Sequence, residues 1–513
     1  MLDPTGARVL LQAGLLAPGR PDRLLGMALA LARWGVTPAT GYAVGAARHP
    51  DRVALIDDAG PLTWRAVDAR TDRIAGVLRE RGVLEGSAVG LLARNGRGFI
   101  EAAVAVAKCG ADVLYLNTGS APAQLAEILD REGATTLLHD ADLADALAVA
   151  APGRLVLTTE QLGALAGEPG PGAPPKSSHA PRQVILTSGT TGAPRGAARD
   201  HVSIEAAVSM LSRIPLRAGR TTVIAAPVFH AWGLGQLALA MLLGSTVVLP
   251  RRFDPAAVLA SVEQHRASAL VVVPVMLEGL LGADPGSYDL SCLQVLASSG
   301  SALPGGLATR VLAAFGPVLY NLYGSTEVAY AAVAGPGDLA ADPQTAGRPP
   351  YGVRLRVVDV AGADVPAGTP GRIFAGSGLA FSGYTDGSDK ERLAGLVATG
   401  DLGVIDADGR LSVLGRVDDM VVVGGENVYP GQVEDVLLAH PSVKDVAVTS
   451  SPDPAYGVQL VAHVVTSGPV EVTELQELVR GQLATYAVPR VVRFVGSLPR
   501  NATGKLVKRE LQP

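Results

Sequence analysis

The sequence predicts an α/β protein of more than one domain, and three observations carry that reading. The chain has 513 residues, too many for one ordinary core. Short apolar runs alternate with segments of helical spacing, as in a parallel sheet with crossover helices. Several of these runs pass directly into turns of small residues, the positions where open α/β sheets gather ligands.

Taken in order, residues 1–40 read as an N-terminal extension. Leu24 to Ala32 is mostly apolar, flanked by Arg20, Arg23 and Arg33 and closed by Trp34. It is about half the ~20 residues needed to span a bilayer, and no basic leader precedes it. An amphipathic helix docked on the body is expected; loose attachment to a membrane surface is the alternative. Trp64 to Arg81 and Ala102 to Ala107 have helical spacing, while Ala88–Leu92 and Val113–Leu116 read as buried strands. Gly167 to Ala180, dense in Pro, Gly and Ser, is a surface loop. Ser203 to Leu211 is a further helix. Strands are expected to end at Pro227, at Pro274, before Ser298 and before Tyr323.

Composition narrows the function. Hydrophobic residues at 48% and charged residues at 18% exclude wholesale disorder. A net charge of -5 supplies no basic field for nucleic acid. The two cysteines, Cys109 and Cys292, cannot form a disulfide framework or a cysteine-rich metal site. They are expected as small apolar residues of a protein in a reducing cytoplasm. Only six lysines stand against 37 arginines, so a lysine within a motif is notable.

The stretch Val184 to Gly196 organises the chain. An apolar run passes into Thr187-Ser188-Gly189-Thr190-Thr191-Gly192, with Arg195 beyond. Glycines let backbone N–H groups turn toward an anion and the hydroxyls add donors, so the loop suits phosphate. It is not a Walker A loop, because no Gly-Lys-Ser/Thr follows at the required spacing.

With Tyr323-Gly324-Ser325-Thr326-Glu327 downstream, the sequence resembles the adenylate-forming superfamily: acyl-CoA synthetases, luciferases and peptide-synthetase adenylation domains. The resemblance runs over residues 41–511. It takes in Thr399-Gly400-Asp401, reached after a helical and loop region, and Gly415-Arg416-Val417-Asp418, after a strand from Arg410 to Leu414. Gly424-Gly425-Glu426-Asn427 and Asn501-Ala502-Thr503-Gly504-Lys505 complete it. It implies a large N-terminal domain, 41–417, of stacked α/β sheets plus a β-barrel-like part. A small mobile α+β domain, 418–513, would follow a hinge at Asp418. Within that domain, helices are expected at Val433–Ala439 and Val472–Leu483, and strands at Val446–Thr449 and Leu460–Val465.

The resemblance also implies roles. Thr187, Ser188, Gly189, Thr190, Thr191, Gly192 and Arg195 would hold the ATP phosphates, Arg195 standing where the family often has Lys. Thr326 would touch the α-phosphate and Glu327 would hold Mg2+. Tyr323 would stack on adenine opposite Gly300, Ser301 and Ala302, with Gly324 and Ser325 alongside. Asp401 and Arg416 would bind the ribose. Lys505 would neutralise charge during adenylation. Gly424 and Gly425 would pass the pantetheine arm of CoA, and His230 and Trp232 would line the acid site with Gly324. Residues 229–232 lack the Asp that amino-acid-activating relatives use, and Val328 to Val333 are apolar or neutral. A hydrophobic carboxylic acid, fatty or bulky aryl, is therefore expected. Three readings stay open: an acyl-CoA synthetase; an adenylating enzyme that serves a carrier protein or a partner thiolating enzyme; and a non-catalytic binder, against which Lys505 and Glu327 argue.

Overall fold

The computed structural model describes residues 3–16, 20–168, 170–186, 196–199, 204–325, 327–377, 383–384, 389–423, 426–453, 457–501 and 505–511. Two sheets dominate. The eight-stranded sheet runs, in spatial order, Ala332–Ala334, Leu319–Tyr323, Val295–Ser298, Ala269–Val272, Thr221–Ile224, Thr246–Val248, Val53–Asp57 and Gly60–Thr63. Its six central strands are parallel and its two edge strands antiparallel. The six-stranded sheet orders Leu155–Thr158, Ala134–His139, Ala88–Leu92, Asp112–Tyr115, Gln183–Leu186 and Gly196–Arg199. Its last strand alone is antiparallel.

The largest apolar core joins the two sheets, with Leu91, Val113 and Ile185 from one and Ile224, Val247 and Val271 from the other. Helix Arg97–Lys108 belongs to this core, and every residue from Phe99 to Lys108 is buried. A helix apolar on all sides is expected between two sheets. Its buried cation is neutralised where it lies: Lys108 Nζ meets Asp68 at 2.7 Å and Asp72 at 2.6 Å. The same ammonium sits 5.7 Å from the Trp34 ring centroid, within cation–π range.

An antiparallel sheet follows, built from Arg354–Val358, Gly371–Gly376, Arg392–Leu393, Leu396–Ile405 and Leu411–Arg416. Single bridges from Val333 to Arg348 and from Gly347 to Leu411 tie it to the edge of the eight-stranded sheet. The C-terminal part has its own core. Helices Pro430–Leu438 and Val472–Gln482 cover the three-stranded sheet of Val443–Asp453, Gly457–Thr466 and Val491–Phe494. Leu411 and Val413 pack with the antiparallel sheet, whereas Val421 and Val423 pack with the C-terminal core. Asp418 falls in the turn between them.

Most expected elements stand within a few residues of their predicted places, with four differences. The strand before Pro227 stops at Ile224, because the N–H groups of Ala225 and Ala226 both turn to the Val271 carbonyl. The strand predicted at 293–297 runs from Val295 to Ser298. Tyr323 lies in a strand and not after it, since it pairs with Ala332. Thr399-Gly400-Asp401 does not follow a helix. It lies inside strand Leu396–Ile405, which forms a hairpin with Arg392–Leu393. The β-branched residues Val397, Thr399, Val404 and Ile405 favour that extended conformation. Among the described residues no helix is long and apolar enough to cross a membrane. Both cysteines are free. Burial pushes the Cys109 thiol up to about 12, so it stays protonated and inert.

Candidate active site

Four parallel strands of the eight-stranded sheet, Thr221–Ile224, Ala269–Val272, Val295–Ser298 and Leu319–Tyr323, end at one cavity of about 1390 Å³. Its polar end is lined by Gly324, Ser325, Glu327, Arg416, Asp418 and Lys505. Gly324 is required there by packing: a Cβ at this position would collide with the carbonyl of Ala329. Ser325 shapes the turn that follows, its hydroxyl accepting from the N–H groups of Glu327 at 3.3 Å and Val328 at 3.4 Å.

Glu327 receives a 2.6 Å hydrogen bond from the Tyr384 hydroxyl. Burial pushes its carboxyl up, but the hydrogen bonds from Tyr384 and Ser325 outweigh that and hold it below the ordinary glutamate range. It is therefore charged at neutral pH while largely removed from water. Tyr384 carries no motif that the sequence reading used; a lone tyrosine in a glycine- and serine-rich run was the available signal.

Beside this carboxylate, two sheets meet. The Tyr323 hydroxyl donates to Asp401 at 2.5 Å. Arg416 Nη1 reaches the other Asp401 oxygen at 3.4 Å and the Thr399 carbonyl at 3.2 Å. Arg416 Nε donates to Asp418 at 3.0 Å. Burial raises the Asp401 carboxyl, opposed by Tyr323, Arg416 and Lys505. Burial, then the Asp401 charge, raises the Tyr323 phenol well above its usual value. The Lys505 N–H donates to Asn501 Oδ1 and its carbonyl accepts from the Asn501 N–H, both at 2.9 Å.

The apolar end follows helix Ala231–Leu242, which contributes to the cavity lining along its length, from Ala231 to Leu242. His230 caps this helix and contacts Phe229, ring centroids 4.5 Å apart. Its Nε2 is buried with no hydrogen-bond partner among the described residues, and burial lowers the imidazole to about 4. The Trp232 indole donates to the Val272 carbonyl at 2.9 Å. One turn on, Gln236 is only 3% exposed and lines the cavity.

Of the residues singled out by sequence, the structure thus gathers His230, Trp232, Gly300, Gly324, Ser325, Glu327, Arg416, Asp418 and Lys505 on one cavity. Tyr323 and Asp401 adjoin it through Arg416. Ser301 and Ala302 lie outside its lining, in the turn before helix Gly305–Phe315. Thr187, Ser188, Gly189, Thr190, Thr191, Gly192, Arg195, Thr326, Gly424 and Gly425 lie outside the described residues.

Magnesium suits the polar end. Glu327 offers one charged oxygen donor, and no cluster of three or more metal-binding side chains exists among the described residues. That is the pattern of an ion held by one carboxylate plus substrate phosphates and water, not by an all-protein cage.

The family model described as AMP-binding enzyme matches residues 43–385, and the AMP-binding enzyme C-terminal domain matches residues 432–505. The fold is thus that of an adenylate-forming enzyme. A feruloyl-CoA synthase from an Amycolatopsis species is 34% identical, with 90% of this chain and 96% of that protein covered. A fatty acid–acyl-carrier-protein ligase from Streptomyces coeruleorubidus is 29% identical over 91% of this chain and 94% of its own. An anthranilate CoA ligase solved with anthranoyl-AMP superposes with a TM-score of 0.85 at 25% identity, covering 93% of this chain and 96% of that one. The chain belongs to the AMP-binding enzyme family, in its superfamily of acyl-CoA synthetases.

Proposed function

We propose that this enzyme activates an apolar carboxylic acid in two steps. In the first, a carboxylate oxygen attacks the α-phosphorus of ATP, pyrophosphate leaves and acyl-AMP forms. In the second, the thiolate sulfur of CoA attacks the acyl carbon, AMP leaves with its electron pair, and a thioester forms. An oxide ion is a poor leaving group and AMP a good one, which is why the nucleotide is needed.

The first step calls for charge neutralisation and positioning more than covalent help. Lys505 supplies a compact charge on a long stem where carboxylate and α-phosphate would meet. Asp401 accepts from the ribose hydroxyls, its orientation fixed by Tyr323 and Arg416. Glu327 holds magnesium, which when bound draws charge from the phosphates. The hydroxyl and glycine loop from Thr187 to Gly192, with Arg195, and Thr326 take the phosphates. For the second step, rotation about Asp418 withdraws Lys505 and brings Gly424 and Gly425 toward the pantetheine arm.

One observation carries this reading: a single cavity joins Lys505, Arg416 and Glu327 to an apolar channel along helix Ala231–Leu242. Helix Ala231–Leu242, which lines the cavity, is about 18 Å long, a wall long enough to accompany a fatty or bulky aryl acid. His230 stays neutral at physiological pH and adds no charge to the acid end. The Gln236 amide, a buried polar group on the cavity lining, favours acids bearing an oxygen substituent that can hydrogen-bond to it.

The test measures acid-dependent exchange of labelled pyrophosphate into ATP, and AMP release with and without CoA, over fatty and aryl acids. Exchange with apolar acids plus CoA-dependent AMP release is expected. Exchange without any CoA response would move the second step to a carrier protein, as in the acyl-carrier-protein ligase among the relatives. Absence of exchange with every acid would overturn the activation itself.

A further inference from the structure

The cavity is lined partly by residues that precede the family match. That match begins at residue 43, yet Met27, Ala28 and Leu31 of helix Pro21–Trp34 face the same space as His230 and Lys505. These three are spaced i, i+1 and i+4, so they form one side of the helix.

The helix is attached along a narrow stripe. No residue of it is fully buried. Gly26 lies against Ala47 of helix Pro38–Arg48, where a Cβ on Gly26 would stand 3.0 Å from the Ala47 Cβ. Arg23 donates to the Arg48 carbonyl at 2.9 Å and Arg33 to the Pro174 carbonyl at 3.0 Å. Trp34 closes the C-terminal end over Lys108. Helix Pro38–Arg48 in turn touches the far end of the channel helix, since a Cβ on Gly41 would lie 3.3 Å from Met241 Sδ. Helix Pro21–Trp34 is thereby placed at the end of the channel remote from His230.

Side chains at this end are apolar and open. Leu31 is 51% exposed, Val36 58% and Leu242 40%, and all three line the cavity. Large apolar groups this open cost stability unless something apolar covers them. Their shared position on the cavity gives the tail of a bound acid an apolar surface to cover.

We propose that helix Pro21–Trp34 is the outer wall of the acid site and that Ala28 and Leu31 set the size of acid accepted. This inference rests on the activation reading given above. The head of every acid sits at Lys505, so a short acid ends well before the helix and only a long or multi-ring acid touches it. Ala28 is small where a larger side chain would fill the channel.

The experiment compares kcat/KM in pyrophosphate exchange for a graded series of straight-chain and aryl acids, using the full chain and its Ala28→Trp and Leu31→Ala variants. Melting curves confirm that each variant folds. For the longest acids Ala28→Trp is expected to lower kcat/KM about tenfold or more, since even single methylenes are resolved by a fitted pocket. The shortest acids should stay within about twofold, because they do not reach the helix. Leu31→Ala should weaken the longest acids by several-fold through lost apolar contact and also spare the shortest. Equal effects on short and long acids, or none on either, would overturn the inference, as would a wild-type protein that uses only short acids. Either result leaves acid activation standing, whereas failure of exchange with every acid in the wild-type protein removes the activation reading itself. If Ala28→Trp does not fold, the Leu31→Ala profile decides alone.

Discussion

The two ends of the cavity hold their shape by different means. At the polar end, side chains from separate sheets lock one another: Tyr323 binds Asp401, Asp401 binds Arg416, and Arg416 binds Asp418. At the apolar end the wall is a helix and an appended helix, with the His230 Nε2 unpaired among the described residues. A hydrogen-bonded charge cluster tolerates few substitutions, because each removed partner strands another buried group. An apolar wall of the right size can change in steps. The contrast suits an enzyme whose nucleotide is fixed and whose acid is the variable.

Four substitutions sharpen that contrast, from the largest expected effect downward. Lys505→Ala should slow adenylation by roughly 10²-fold or more, as for loss of one preorganised charge, and spare thiolation of preformed acyl-AMP. Equal loss in both half-reactions would remove the role given to this lysine. Asp418→Pro fixes φ at the turn between the two cores. It should depress CoA transfer by about tenfold and adenylation far less, as when a conformational step is gated. Unchanged turnover would count against rotation there.

Gln236→Leu should cost acids with an oxygen substituent about tenfold and leave plain apolar acids equal or improved, a discrimination of the size buried polar groups give. Parallel loss for both kinds would mean that Gln236 only packs. The smallest effect belongs to Tyr384→Phe. The Tyr384 hydrogen bond helps keep the Glu327 carboxyl low. A carboxylate of lowered pKa stays charged above that pKa and is lost as pH falls through it. Without the bond the pKa rises, so metal-dependent activity should fade at a higher pH on acidification. The acid limb of a pH–rate profile checks this, and an unshifted limb would remove Tyr384 as a support of the metal carboxylate.

The same divide governs what the sequence disclosed. Nucleotide chemistry requires particular groups at fixed spacings, so Tyr323, Glu327, Asp401, Arg416 and Lys505 were visible in motifs, and the structure brings them together. The parallel strands were legible because they are short apolar runs between turns. Tyr384 went unseen, since its role depends on a fold that carries it back to Glu327 across 57 positions in the chain. The strand through Thr399-Gly400-Asp401 was missed because glycine and aspartate are poor strand formers that pairing overrode. Gln236 and the Met27, Ala28 and Leu31 face read as ordinary helix residues, for only the assembled channel shows what they look upon.

One further consequence comes from Lys108, an amine wholly withheld from solvent beneath the indole of Trp34. In a chain with so few lysines, acylation of this amine by a small reagent becomes a clock for departures of the N-terminal segment. Peptide mapping after timed labelling would reveal how often that segment lifts, and whether a resident acid quiets it.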